Sequence, residues 1–286
     1  MDVNELIQRI NTDRLKFIST AIISDQLFNS LVSELRDPKV KDALVSMLVS
    51  EGARSKTNSE AYSILFSILN DALSANKLVE LITSKDGMEI LKRAVDNNEG
   101  ETLVLGAMHA NYAVAHAFVN KLLQKKEGRK LAVALVSIAA SHYENFTCST
   151  LPPLTNEGKK LQLMFHDISK LENAILDKNA SEQLIYRLTN NEIESVSIIA
   201  SALCDETFLN KLVKVLRTEK GREFCSLIGK CGFGRKFGAG KIWLTKGGRA
   251  FVHEMMKTEE GVYAIYAIMT GMSVGEFIAY TAKLDK

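Results

Sequence analysis

Proline is nearly missing from this chain, with three in 286 residues, at positions 38, 152 and 153. Proline fixes φ and removes an amide donor, so it stops helices; its scarcity leaves almost the whole chain open to them. Glycine, at 17 residues, is too sparse for a turn-rich β-fold, and no segment sustains the period-two alternation of a strand. The four cysteines, Cys148, Cys204, Cys225 and Cys231, include no CxxC pair, and the last two stand six apart. That spacing matches no common zinc pattern, so four reduced thiols in a cytoplasmic setting are expected. The start, MDVNELIQRINTDR, lacks the basic-then-apolar order of a secretory leader. Net charge is only +2, which excludes a global electrostatic field of either sign.

One long apolar run exists. Residues 261–280 carry a single charge, Glu276, and a GxxxG at Gly271 and Gly275, which reads superficially as a membrane span. Ser273 and Glu276 instead have capping-box spacing, and Gly271 is placed to end a helix. Two short helices with a turn at 271–273 are expected, and no membrane association.

What the chain has is 46% apolar and 24% charged residues, ordinary for a soluble folded protein, in a length that exceeds one compact core. It also repeats itself. LVELITSKDGMEIL (78–91) matches LVKVLRTEKGREFC (212–225), and 121–129 matches 241–249 without a gap. Looser copies begin at Ser30 and Lys170. Caps of Asn or Thr followed by carboxylates recur at Asn97, Asn190, Asn58, Thr12 and Thr258, as helix starts require. Each unit then reads as a capped helix, a turn, a second helix opening at Lys-Leu-Val, a glycine turn and a short third helix. On this reading Gly87, Gly128 and Gly221 each end a helix in the left-handed conformation. Apolar spacing at Ala61, Ile64, Leu65, Ile68, Leu69 and Ala72, and at Leu103, Ala107, Ala110 and Val114, is helical.

Units of about 40 residues with two or three helices resemble armadillo and HEAT repeats. The resemblance is one of architecture. It implies an all-α fold, an α-solenoid of about six degenerate two- or three-helix repeats forming an armadillo/HEAT-like superhelix. The expected organisation is a single helical-repeat domain over 1–286, with a basic, glycine-rich insertion at 229–249. Such repeats act as adaptors in protein–protein interaction.

Catalytic signatures are scarce. No GxSxG, HExxH or DxDxDG occurs. His109 and His116, seven apart, could share one helix face near Glu99 and Glu101. The glycine-rich stretch fails as a phosphate loop, because Gly240-Lys241 is followed by Ile242 and position 235 is Arg. No enzyme activity, cofactor or metal is expected.

Charge is distributed unevenly. Residues 166–210 hold eight carboxylates against three cations, a balance of −5; residues 211–253 hold eleven cations against two carboxylates, a balance of +9. No acidic residue occurs from 224 to 253. Lys211, Lys214, Arg217, Lys230, Arg235, Lys236, Lys241, Lys246 and Arg249 are therefore the candidate contacts to nucleic acid or another polyanion. Phe233, Phe237 and Trp243 lie among them as rings on which bases could stack, although Trp243 and Phe251 are expected to fill the core. The expected function is a non-enzymatic scaffold or adaptor that binds a macromolecular partner through its groove and this basic segment. The alternative is a nucleic-acid-binding protein, a DNA maintenance or partition adaptor contacting phosphates of DNA or RNA through 211–249.

Overall fold

The computed structural model describes residues 1–110, 112–232, 242–273 and 275–276, and the side chains of all of these except 105, 108–110, 112, 113 and 116. Among the described residues it has eighteen α-helices and no strand, and it is 83% helical. The chain divides into two compact units, Met1–Ala139 and a second that begins at Ala140.

The first unit contains α1 (Val3–Asp13), α2 (Leu15–Ile23), α3 (Asp25–Glu34), α4 (Pro38–Ser55), α5 (Glu60–Asn70), α6 (Ala72–Thr83), α7 (Lys85–Val95), α8 (Asn98–Ala110), α9 (Tyr112–Gln124) and α10 (Lys126–Ser141). Its core gathers Leu6, Ile10, Phe17, Ile22, Leu31, Val40, Met47, Ile90 and Leu103. The second contains a 3-10 turn (His142–Asn145), α11 (Asn156–His166), α12 (Ile168–Leu176), α13 (Lys178–Asn190), α14 (Glu192–Ala202), α15 (Glu206–Arg217), α16 (Glu219–Lys230), α17 (Lys246–Met255) and α18 (Glu259–Thr270). Its core gathers Leu161, Phe165, Leu171, Leu184, Val213, Phe224, Phe251 and Met255.

Many connectors are one residue long, because one side chain serves two helices. Asp71 ends α5 and caps α6, accepting from Ser74 N at 2.8 Å. Asp177 does the same between α12 and α13, accepting from Ala180 N at 2.8 Å. Pro38 occupies the first turn of α4, where its missing amide costs nothing.

The repeated glycines begin helices instead of ending them. Gly87 lies three residues after the Ser84 cap of α7 and donates its amide to Ser84 Oγ at 3.0 Å. The same hydroxyl donates to Leu81 O at 2.7 Å. Thr218 repeats both bonds with Gly221 and Val215, and Thr245 repeats them with Gly248 and Ile242. The carbonyl of the preceding helix thereby comes down onto the glycine six residues later. A Cβ would stand 2.0 Å from Leu81 O at Gly87, 1.9 Å from Leu122 O at Gly128 and 2.1 Å from Val215 O at Gly221. Gly100, Gly248 and Gly261 stand in the same relation to Ala94, Ile242 and Met255. Positive φ belongs to Gly232 and Gly271 alone among the described glycines. The left-handed C-caps expected at 87, 128 and 221 are thus overturned: what these corners require is the absence of a Cβ, not positive φ.

Other expectations divide. Gly271 does end α18 in the left-handed conformation, and Ser273 and Glu276 form the reciprocal capping box at 3.2 and 2.7 Å. No described helix is long and apolar enough to cross a membrane. Thr12 and Asp13, expected to open a helix, lie at the end of α1, whose cap is Asp2. The second helix of the first clear repeat opens at Ala72, five residues before Lys77.

Candidate polyanion-binding surface of the second unit

α15 buries Phe208, Leu209, Leu212, Val213, Val215 and Leu216. The 3.6-residue period then turns Lys211 and Lys214 outward, and both are exposed. Lys220, in the first turn of α16, is exposed as well. None of these three lysines has a carboxylate within ion-pair distance among the described residues. Lys230, at the end of α16, is exposed, and its charge helps hold the Glu276 carboxyl below the usual range, after the amide and hydroxyl of Ser273.

Arg217 departs from the lysine stripe that its spacing implied. Its guanidinium donates to Glu254 O, at the end of α17, and Arg222 donates to Arg217 O. Both are half-buried and neutralise carbonyls at helix C-termini, where a cation is favoured. Arg249 is 3% exposed. Its guanidinium lies 3.8 Å from the Phe146 ring centroid and 4.7 Å from that of Trp243, and Nε donates to Trp243 O at 3.0 Å. Planar stacking of this kind suits arginine over lysine. Trp243 is therefore occupied by Arg249, and Phe251 fills the core as expected. Lys246 pairs with Glu144 at 2.6 Å.

The nine candidate cations thus separate. Lys211, Lys214 and Lys230 face solvent, Arg217, Lys246 and Arg249 are engaged within the fold, and Arg235, Lys236 and Lys241 lie outside the described residues, as do Phe233 and Phe237. Lys220 was missed because its position follows from the corner at Thr218, which places it on a new helix.

Cys148 and Cys204 are joined by a disulfide, with Cα atoms 6.1 Å apart, which corrects the expectation of four free thiols. Their spacing of 56 residues carries no local signal; the fold brings them together. Cys225 is free and buried, and burial pushes its thiol up to about 12; Cys231 is free and exposed. His109 lies in α8 and His116 in α9.

The first unit carries a different surface. A groove of about 710 Å³ runs between the end of α2, the end of α5 and α6. Ile23 and Leu73, 73% and 75% exposed, both line it. Lys77 crosses it, bonded to Ile22 O at 2.9 Å and Asp25 at 2.5 Å.

No protein-family model, curated protein or solved structure matches this chain.

Proposed function

We propose that this protein is a non-enzymatic adaptor of the helical-repeat, α-solenoid type, and that its second unit offers a basic surface to an acidic macromolecular partner. One observation carries the reading: Lys211, Lys214 and Lys220 are exposed without a carboxylate partner among the described residues. Lys39, Lys85 and Lys92 of the first unit are exposed as well; what distinguishes the three lysines of the second unit is that they fall in residues 211–253, where eleven cations stand against two carboxylates. The recurrence of one glycine corner supports a repeat origin. The groove with Ile23 and Leu73 supports a protein partner at the first unit.

Nucleic acid is the second reading, favoured by the unbroken run of residues 224–253 without an acidic side chain. Both readings meet in one experiment: binding of a DNA duplex, an RNA and an acidic polypeptide, measured across a salt series. Each duplex phosphate neutralised adds about 0.9 to the slope of log affinity against log salt. Changing Lys211, Lys214 and Lys220 together to Ala flattens a nucleic-acid slope by about two to three. Loss of acidic-polypeptide binding alone selects the protein partner. Unchanged binding of all three probes in the triple variant removes this surface from the function.

A further inference from the structure

Residues 146–155, between the 3-10 turn and α11, make a strap that includes Pro152 and Pro153. On one side the strap is bonded to the C-terminal end of α14 through Cys148–Cys204. On its other side it holds residues 242–249. Thr147 O accepts from Lys246 N at 3.0 Å, Phe146 lies under Arg249, and Glu144, just before the strap, pairs with Lys246. The start of α17 also rests directly on the same end of α14. A Cβ on Gly247 would stand 2.6 Å from Ala200 O and 2.9 Å from Cys204 N. Leu151, in the middle of the strap, closes a pocket of about 450 Å³ against Phe165, Ile198 and Phe208. Three pieces therefore meet at Cys204: the end of α14, the strap, and the segment that follows the glycine-rich stretch.

Cys148 is exposed and Cys204 half-buried. We infer that Cys148–Cys204 is a thiol-exchange site, open to dithiol reductants, whose opening releases the strap and loosens residues 242–249 at the base of the basic segment. A dithiol supplies the electrons. Its first thiolate attacks the exposed Cys148 Sγ, forms a mixed disulfide and expels the Cys204 thiolate. Its second thiolate then attacks its own sulfur in that mixed disulfide and expels the Cys148 thiolate. Both protein thiolates take up protons, and the dithiol leaves as a disulfide, two electrons poorer. After exchange the strap keeps its contacts to 242–249, and Thr155 still donates its amide and hydroxyl to Glu194 at 2.6 and 2.8 Å. Only the covalent link to Cys204 is lost, so the strap and the start of α17 are left held to the C-terminal end of α14 by packing alone and loosen there together. The effect on affinity rests on the basic-surface reading. Holding the end of the basic segment lowers the ordering cost of binding, so the disulfide form is the tighter binder.

The test uses the full chain, with alkylation by iodoacetamide read by mass spectrometry, limited proteolysis, and binding of a short DNA duplex at low salt. The disulfide form is expected to label at Cys231 alone. After dithiothreitol under native conditions Cys148 and Cys204 label too, while Cys225 stays protected. Cleavage within 146–155 and 242–249 rises about tenfold on reduction, and duplex affinity falls about three- to tenfold. The salt slope is unchanged, because the same cations are present. Cys148→Ser, at the exposed sulfur, reproduces the reduced behaviour without reductant. Should Cys148→Ser fail to fold, reduction of the wild type carries the same test. Alkylation of Cys148 and Cys204 without reductant overturns the proposal, and so do cleavage rates that ignore reduction. A reduction-dependent cleavage pattern with no duplex bound in either state supports the thiol switch and rejects the nucleic-acid reading alone.

Discussion

The two units tie their helices together with cations in different ways. In the first, lysines and arginines join helices distant in sequence by pairing with carboxylates: Lys16 with Glu60, Lys41 with Asp86 and Glu89, Lys56 with Glu99, Lys77 with Asp25, and Arg93 with Asp42. Glu51, 6% exposed, holds both Arg14 and Arg54. In the second, Lys160–Glu157, Lys170–Asp167 and Lys257–Glu254 stay within one turn of the same helix or its cap. Its ties between elements include arginines on carbonyls and rings, one disulfide and the Lys246–Glu144 pair. The first unit also leaves Lys39, Lys85 and Lys92 exposed, so the difference between the units lies in how their helices are tied and not in whether lysines reach water. What sets the second unit's charge apart is concentration, with eleven cations against two carboxylates over residues 211–253.

The largest way to separate the units is reduction. Opening Cys148–Cys204, which closes 56 residues, is expected to destabilise the second unit by roughly 2–4 kcal/mol and leave the first unchanged. Urea unfolding followed by hydrogen exchange, unit by unit, reads this directly. A loss shared by both units would mean that they unfold as one.

Next comes a test of what the units share. Gly87→Ala and Gly221→Ala force a Cβ onto a backbone carbonyl, and each should cost about 2 kcal/mol in its own unit. A neutral result at either position would remove the corner as a common device.

Smaller effects follow from the contrast in electrostatics. Glu51→Gln should cost the first unit between about 1 and 2 kcal/mol, because two arginines lose one nearly buried carboxylate while both can still reach water. Arg249→Lys should cost the second unit about 1 kcal/mol through lost stacking on Phe146 and Trp243. Thermal unfolding of both variants against wild type orders the two effects.

Acid gives the smallest difference and the sharpest in kind. In the first unit a hydrogen bond from Lys77, then its charge, holds Asp25 below the usual carboxylate range, and Lys16 does the same for Glu60. In the second, Glu157 is lowered by Lys160 and Asp167 by Lys170, each three residues away. A depressed carboxylate contributes stability above its unfolded value, near 4, and loses it as pH falls through the folded value. Below that range the first unit should lose ties between helices, whereas the second loses ties within them. Amide exchange at pH 3 against pH 6 should therefore rise at the α2–α5 contact more than at α11 or α12.

Much of the fold was legible in the sequence, and the failures have physical causes. Scarce proline and helical spacing announced an all-α chain. The matches between 78–91 and 212–225, and between 121–129 and 241–249, were real signals, but of a corner and not of a helix end. A glycine between two helices has two explanations, positive φ or a close approach, and at Gly87 and Gly221 the hydroxyl three residues earlier distinguishes them. Ser84 and Thr218 were visible all along. The basic segment was legible as composition, yet composition cannot tell Lys214, which faces water, from Arg217 and Arg249, which are held inside. Cys148 and Cys204 carried no local pattern; their meeting depends on α11 to α14 folding between them.

The corner also measures length. Six residues separate the carbonyl from the glycine at all six positions, three in each unit. One residue more or fewer between them would turn the next helix by about 100° and send its buried row, such as Ile90 or Phe224, toward water. Substitutions along the helices leave the register intact, while these intervals admit no insertion. Length variation among sequences descended from this one should fall outside the six intervals, in stretches such as 146–155, and a change of length inside one would have to delete or duplicate a whole helix.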